Sequence, residues 1–230
     1  MKYAKTILCL ANSRKTSGRC IAGKEIVDER SGSWVRPVSG RSSEEISEEE
    51  RRYEDGHDPR VLDVIRIPMI SPQPKFYQSE NHLIDDGYYW EKIRQGTWDN
   101  ALAALDEVKG SLWPNSSSSY NGSNDRVPEV VAKSLPGSLF LIRPDALRIH
   151  VNMEGAEFGQ PKRKVRASFT FNNEHYKLSV TDPTIERQYL QGENGTYAID
   201  KAILCISLGE LWEGYAYKLI AAVITPNVKG

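Results

Sequence analysis

Apolar and polar positions alternate most cleanly between Lys164 and Val180, where KVRASFTFNNEHYKLSV divides into two strand-like runs around Asn172-Asn173. Asparagine tolerates the left-handed backbone that a two-residue hairpin turn requires. With the turn placed there, Phe169 falls opposite Tyr176, Ala167 opposite Leu178 and Val165 opposite Val180, all on one face. The other face carries Lys164, Arg166, Ser168, Thr170, His175, Lys177 and Ser179. A slip of one residue would mix the two sets, so the pattern itself specifies the register. The polar face reads either as the wet side of an antiparallel sheet or as a platform for an anionic ligand.

The same reading extends to the rest of the chain. Thr6 to Ala11 is a short buried strand, NSRKTSGR a basic loop, Cys20 to Val27 a second strand and Trp34 to Ser39 a third. Ser42 with Glu45 fits a capping box that would open an acidic helix reaching Tyr53. Val61 to Ile70 is strand-like, followed by shorter pieces at His82 to Ile84 and Tyr88 to Ile93. Thr97 caps an amphipathic helix with Trp98, Ala101, Leu102, Leu105 and Val108 at helical spacing. Asn115 to Asp125, NSSSSYNGSND, is low in complexity and reads as a loop or linker.

Beyond it, Ser138 to Ile142 and Ala146 to Val151 are strands around a turn. Asp182-Pro183 opens a helix, with Asp as the cap and Pro at the first helical position. Ala202 to Ser207 is a strand, LGELWEG a loop, and Tyr215 to Thr225 a strand buried on both faces. Strands outnumber helices and come in meanders, not in βαβ units. The expected fold is mainly β with few helices, as two OB-like small β-barrels in one chain. The expected divisions are 1–114 for a first barrel with an inserted acidic helix and a following amphipathic helix, 115–125 for the Ser-rich linker, and 126–230 for a second barrel.

Composition narrows the function classes. With 39% hydrophobic and 27% charged residues the chain is an ordinary soluble globular sequence. No apolar run has membrane-spanning length. The apolar part of the N-terminus is too short for a signal peptide and Arg14 and Lys15 follow it, so it reads as a first strand. A formal net charge of −1 leaves any contact with polyanions to local patches. The 3 cysteines, Cys9, Cys20 and Cys205, are odd in number and widely spaced, which argues for reduced thiols and a cytoplasmic protein.

Four phrases, ILCLANSRKTSGRCIAGKE, WVRPVS, HYKLSVTDP and ISLGELWEGYAYKLIAAVI, together resemble the bacterial family known as the dual OB-containing domain. The resemblance covers nearly the whole chain. It implies two OB-like barrels and, by fold analogy, association with nucleic acids; fold alone does not settle function.

Each candidate site has a bland alternative. Gly18 to Glu25 matches a phosphate-binding loop up to its last position, where Glu25 replaces the hydroxyl that would hold magnesium, and strand-like residues follow where a helix is needed. The basic loop Ser13, Arg14, Lys15, Arg19 joins the first two strands, a usual ligand-contacting place in OB folds, with Gly18 expected to let the backbone approach a ligand. The bland reading there is a solvated basic loop. The hairpin's polar face adds Lys164, Arg166, His175 and Lys177, with Arg36 beside Trp34 on a comparable face of the first half. Its best aromatics, Phe169 and Tyr176, point inward, which weakens a base-stacking reading. Asp182 and Glu186 suit acid–base chemistry, but a helix cap explains Asp182 equally simply. The histidines are dispersed without cysteine partners at zinc spacing, and there is no nucleophile elbow, so no catalytic residue, metal or cofactor is assigned.

The expected function is a non-enzymatic nucleic-acid-binding module for single strands or for terminal or modified nucleotides, within a nucleic-acid-processing or antiviral defence system. The alternatives are a protein–protein adaptor subunit and an enzyme acting on nucleotides through Asp182, Glu186 or Glu210.

Overall fold

Strand pairing closes the first half of the chain into a barrel. The computed structural model describes residues 2–156 and 159–226. It divides into two units. One runs to Leu105 and takes in Pro136–Ser138, and the other comprises Asp106–Leu135 and Leu139–Pro226.

In the first unit β1 (Tyr3–Lys15), β2 (Gly18–Val27) and β3 (Arg30–Val38) form a meander, followed by α1 (Glu48–Arg51), β4 (Asp63–Pro72), β5 (Asn81–Ile84), β6 (Glu91–Gln95) and α2 (Trp98–Ala103). The strand order β1-β2-β3-β5-β4 is closed by an antiparallel pairing of β4 with β1, while β3 and β5 run parallel. That circuit is the five-stranded Greek-key barrel of an OB fold. β1 serves both neighbours because it is long: its first half pairs with β4 and its second half with β2. Ile7, Cys9, Ile21, Val35, Ile65, Ile67 and Met69 fill the interior, with Trp90 and Tyr53.

Two local expectations change here. NSRKTSGR is not a loop: β1 continues to Lys15 and β2 begins at Gly18, so only Thr16-Ser17 form the turn. The acidic helix shrinks to Glu48–Arg51, capped by Ser47 with Glu50 in the capping box. The cause is Ile46, which is fully buried and exchanges backbone hydrogen bonds with Arg19, both at 2.9 Å. A helix begun at Ser42 would forfeit both.

The second unit holds β7 (Arg126–Pro128), α3 (Glu129–Ala132), β8 (Leu139–Ile142), β9 (Asp145–Glu154), β10 (Lys162–Phe171), β11 (Glu174–Val180), α4 (Pro183–Leu190), β12 (Gly195–Ala198), β13 (Ile203–Trp212) and β14 (Tyr215–Ile224). The path β9-β10-β11-β14-β13-β8 repeats the first circuit, with β11 and β14 parallel as β3 and β5 are. Here the first barrel strand is split. β8 pairs with β13, β9 pairs with β10, and only Arg143-Pro144 separate them. Proline lacks the amide hydrogen that would continue the ladder.

The hairpin register is the one the alternation specifies, with Phe169 opposite Tyr176 and Ala167 opposite Leu178. Val165, Ala167, Phe169, Tyr176, Leu178 and Val180 are all buried. Asn172 and Asn173 both have positive φ, at 50° and 62°. The Phe169 and Tyr176 rings stack at 5.2 Å. LGELWEG is strand up to Trp212, because a bulge after Leu208 absorbs the extra residues and Leu211 then pairs with Ala216.

Residues 115–125 lie in the second unit and are held by hydrogen bonds. Ser123 exchanges backbone bonds with Lys177, and Asn124 Nδ2 donates to the His175 carbonyl at 2.9 Å. Asp125 accepts from the Ser119 amide at 2.7 Å.

Candidate functional site

Alternation along β9 and β10 turns Leu147, Ile149, Val151, Val165 and Ala167 into the second barrel. Arg148, His150, Asn152, Lys164, Arg166 and Ser168 therefore face outward. The ladder sets Arg166 between His150 and Ser179, and Ser168 between Arg148 and Lys177. Thr170 sits beside His175. Among the residues expected to bind, Lys164, Arg166, His175 and Lys177 are thus brought onto one sheet face.

Arg148 and His150 belong to the same face and were missed by sequence reasoning, although their alternation with Leu147, Ile149 and Val151 carried the signal. His150 bridges two strands: Nδ1 lies 3.0 Å from Thr196 Oγ1 on β12, and Nε2 lies 2.7 Å from Ser168 Oγ on β10. Burial first, then the positive charges of Lys177, Arg148 and His175, holds the His150 pKa below the ordinary histidine range. Only part of the charge is open to a ligand. Arg166 Nε and Nη2 contact the two Glu154 carboxylate oxygens at 2.7 and 3.1 Å, and Asp125 lies 3.9 Å from Arg166. Arg163, just before this face, donates to the Leu190 and Gly192 carbonyls and so fastens the end of α4.

In the first unit the remaining expected residues separate. Arg14 and Arg19 are directly opposite on the β1–β2 hairpin, a like-charge pairing that concentrates positive charge on one face. Lys15 pairs with Gly18. Ser13 is buried and its hydroxyl donates to the Cys20 carbonyl at 3.3 Å. Arg36 is corrected from a surface cation to a buried one: it is 3% exposed and its Nη1 lies 3.2 Å from Glu80. A guanidinium this deep keeps its place because a carboxylate accompanies it. Gly18 is small for a different reason than ligand approach: a Cβ there would stand 2.6 Å from the Ile46 carbonyl oxygen. The hairpin tip is tied down too, since Ser17 Oγ donates to Glu45 at 2.7 Å and holds that carboxyl below its usual range.

A family model described as the dual OB-containing domain matches residues 5–223. The chain belongs to the dual OB-containing domain family. No curated protein and no solved structure matches it. The two closed circuits described above are the two OB-like barrels of this dual OB domain.

The other chemical candidates in the dual OB domain resolve into structure. Gly18 to Glu25 is strand, and a Cβ on Gly23 would meet the Leu8 carbonyl at 2.1 Å. Asp182 caps α4: Oδ1 accepts from the Thr184 and Ile185 amides at 2.9 and 3.3 Å, and Oδ2 accepts from Val223 at 3.1 Å. Burial raises its pKa against the opposing pull of those bonds. Among the described residues no group of His, Cys, Asp and Glu is placed to hold a metal ion, and no helix is long and apolar enough to cross a membrane. Cys9 and Cys205 are buried, and burial pushes the Cys9 thiol upward.

Proposed function

We propose that this dual OB domain is a non-enzymatic module that binds nucleic acid, as a single strand or a strand end, on the outer face of β9, β10 and β11. The arms of the β1–β2 hairpin, with Arg14, Lys15 and Arg19, supply a further cationic contact. The observation that carries the reading is the gathering of Arg148, Lys164, His175 and Lys177 on one sheet face. Hydroxyls of Ser168, Thr170 and Ser179 lie among them as additional hydrogen-bond partners for phosphate oxygens. In OB barrels this face of the second and third strands is a usual ligand surface. The setting that goes with the proposal is a nucleic-acid-processing or defence system.

The test is fluorescence anisotropy with labelled single- and double-stranded DNA and RNA at several salt concentrations. Binding is expected to weaken with salt, by a slope of about −0.7 per phosphate contact on a single strand. The double variant Arg148→Glu, Lys177→Glu should lower affinity and reduce the slope by about one per cation removed. Arg14→Glu with Lys15→Glu probes the hairpin separately. Binding that ignores both salt and the first double variant would sink the assignment.

The adaptor reading stays as the second one because of a groove of about 450 Å³ in the first unit. Exposed Tyr88 and Tyr89 line it together with Arg66 and Asp85. Aromatic rings among charges of both signs suit a protein surface better than a polyanion. A partner that co-purifies with the protein and is lost in Tyr88→Ser, Tyr89→Ser would favour it.

A further inference from the structure

An indole in water is the feature of the second barrel that the cationic face does not account for. Trp212 is 60% exposed at the end of β13. It faces Tyr215 across the ladder, and its ring centroid lies 6.0 Å from that of Tyr217. Arg126 of β7 pairs with Tyr217 along the backbone and sets its Cζ 4.0 Å from the Tyr215 ring centroid. Ser117 Oγ accepts from Arg126 Nε at 2.9 Å and fixes that stack. The turn between the strands is two residues, Glu213 and Gly214, with φ of 49° and 80°. The rings are therefore mounted on a tight, ordered hairpin rather than on a mobile loop.

This hairpin joins the last two strands of the barrel circuit. In OB folds that connection, together with the face of the second and third strands, contacts oligonucleotides. Tyr215 and Tyr217 alternate with buried Ala216 and Lys218, so they point out of the barrel, as His175 and Lys177 do. The chain between the two surfaces is continuous: Ser123 pairs with Lys177 and the Asp125 carbonyl accepts from Lys218 at 2.8 Å. Glu213 in the turn disfavours phosphate at the tip, while a base presents its own ring face to an indole.

We propose that Trp212, supported by Tyr217 and the Arg126–Tyr215 stack, is a base-stacking subsite that makes this module select strands with unpaired bases. The inference rests on the nucleic-acid reading above and assigns the division of labour within it: cations on β9 to β11 hold phosphates, and the hairpin holds a base. A purely structural role for the rings, as a cross-strand pair, predicts a stability loss with no effect on base recognition.

The experiment compares an oligothymidylate of roughly 12 nucleotides, within the span of one OB fold, with an abasic oligomer of the same length and with duplex DNA. Trp212→Ala is expected to weaken oligothymidylate binding at least about fivefold, the lower end of one base–aromatic stack. Abasic binding and the salt slope should not change. Trp212→Phe should restore most of the affinity and Trp212→Leu should not, which keeps the comparison intact if the alanine variant folds poorly. Equal effects on the two oligomers, or none, overturn the subsite while salt-dependent wild-type binding leaves the parent reading standing. A wild-type protein that binds none of the three probes overturns both.

Discussion

The first barrel buries an anion and the second buries a cation. Asp63, fully buried at the start of β4, accepts from Tyr53 Oη at 2.8 Å and from the Arg60 amide at 2.9 Å, and Lys92 Nζ lies 2.7 Å away. Lys218, 1% exposed in β14, donates to Asn115 Oδ1 at 2.6 Å and to the Pro114 carbonyl at 3.3 Å. Each charge ties a polar segment to its own barrel. Burial pulls the Lys218 pKa down to about 7, against the opposing charges of Asp125 and Glu174. The shared circuit thus rests on apolar alternation, whereas each barrel's charges are local inventions. The contrast continues outside: the first barrel pairs Arg36 internally, and the second spreads its cations over a sheet face.

The strongest way to break the comparison is at the strand packing. Gly23→Ala drives a methyl into the Leu8 carbonyl, so β1 and β2 must part. A loss of about 3 kcal/mol or more is expected in urea unfolding. The second barrel sets Ala167 between its central strands and tolerates a side chain there. A silent Gly23→Ala would show that the first barrel is the looser one.

The caps differ next. Asp182→Ala removes a cap from an eight-residue helix and strands the Val223 amide, and should cost about 2 kcal/mol. Ser47→Ala touches a helix of only 4 residues and should cost about half as much. Equal costs would mean that the Val223 bond contributes nothing.

Lys218 gives a pH test. Its folded pKa lies below the unfolded one, so above about pH 7 the unfolded chain holds the extra proton and stability rises with pH. The stability advantage of wild type over Lys218→Met should grow from pH 7 toward pH 9, at no more than about 1.4 kcal/mol per unit. A pH-independent difference would contradict the burial argument.

The smallest effect lies in the matched turns. Asp28-Glu29 and Asn172-Asn173 both adopt positive φ, but a glutamate is strained there and asparagine is not. Glu29→Gly should stabilise by about 0.5–1 kcal/mol, and Asn173→Gly should change little. Thermal melts of the two variants compare them directly.

Much of the second barrel was legible. Period two gave the register of β10 with β11, and Asp182-Pro183 announced α4. The same rule contained Arg148 and His150, but only once β9 was assigned faces. The β1–β2 hairpin was illegible because polar residues such as Ser13 and Arg14 carry no apolar alternation; the strands persist since Ile46 and Glu45, far along the chain, hold that end. Trp212 was hidden by a bulge, which breaks the period on which strand reading depends.

By itself, then, the amino-acid sequence determined the elements whose cause is local: strands with an apolar face, two-residue turns that need left-handed backbone, and a capped helix start. Tertiary structure decided which charges face water. Arg36 is buried because Glu80 meets it across β3 and β5, and Arg166 is half spent on Glu154 across β9 and β10. Such pairings join residues far apart in the chain, and electrostatic energy depends on distance in space and on burial, neither of which a one-dimensional pattern records.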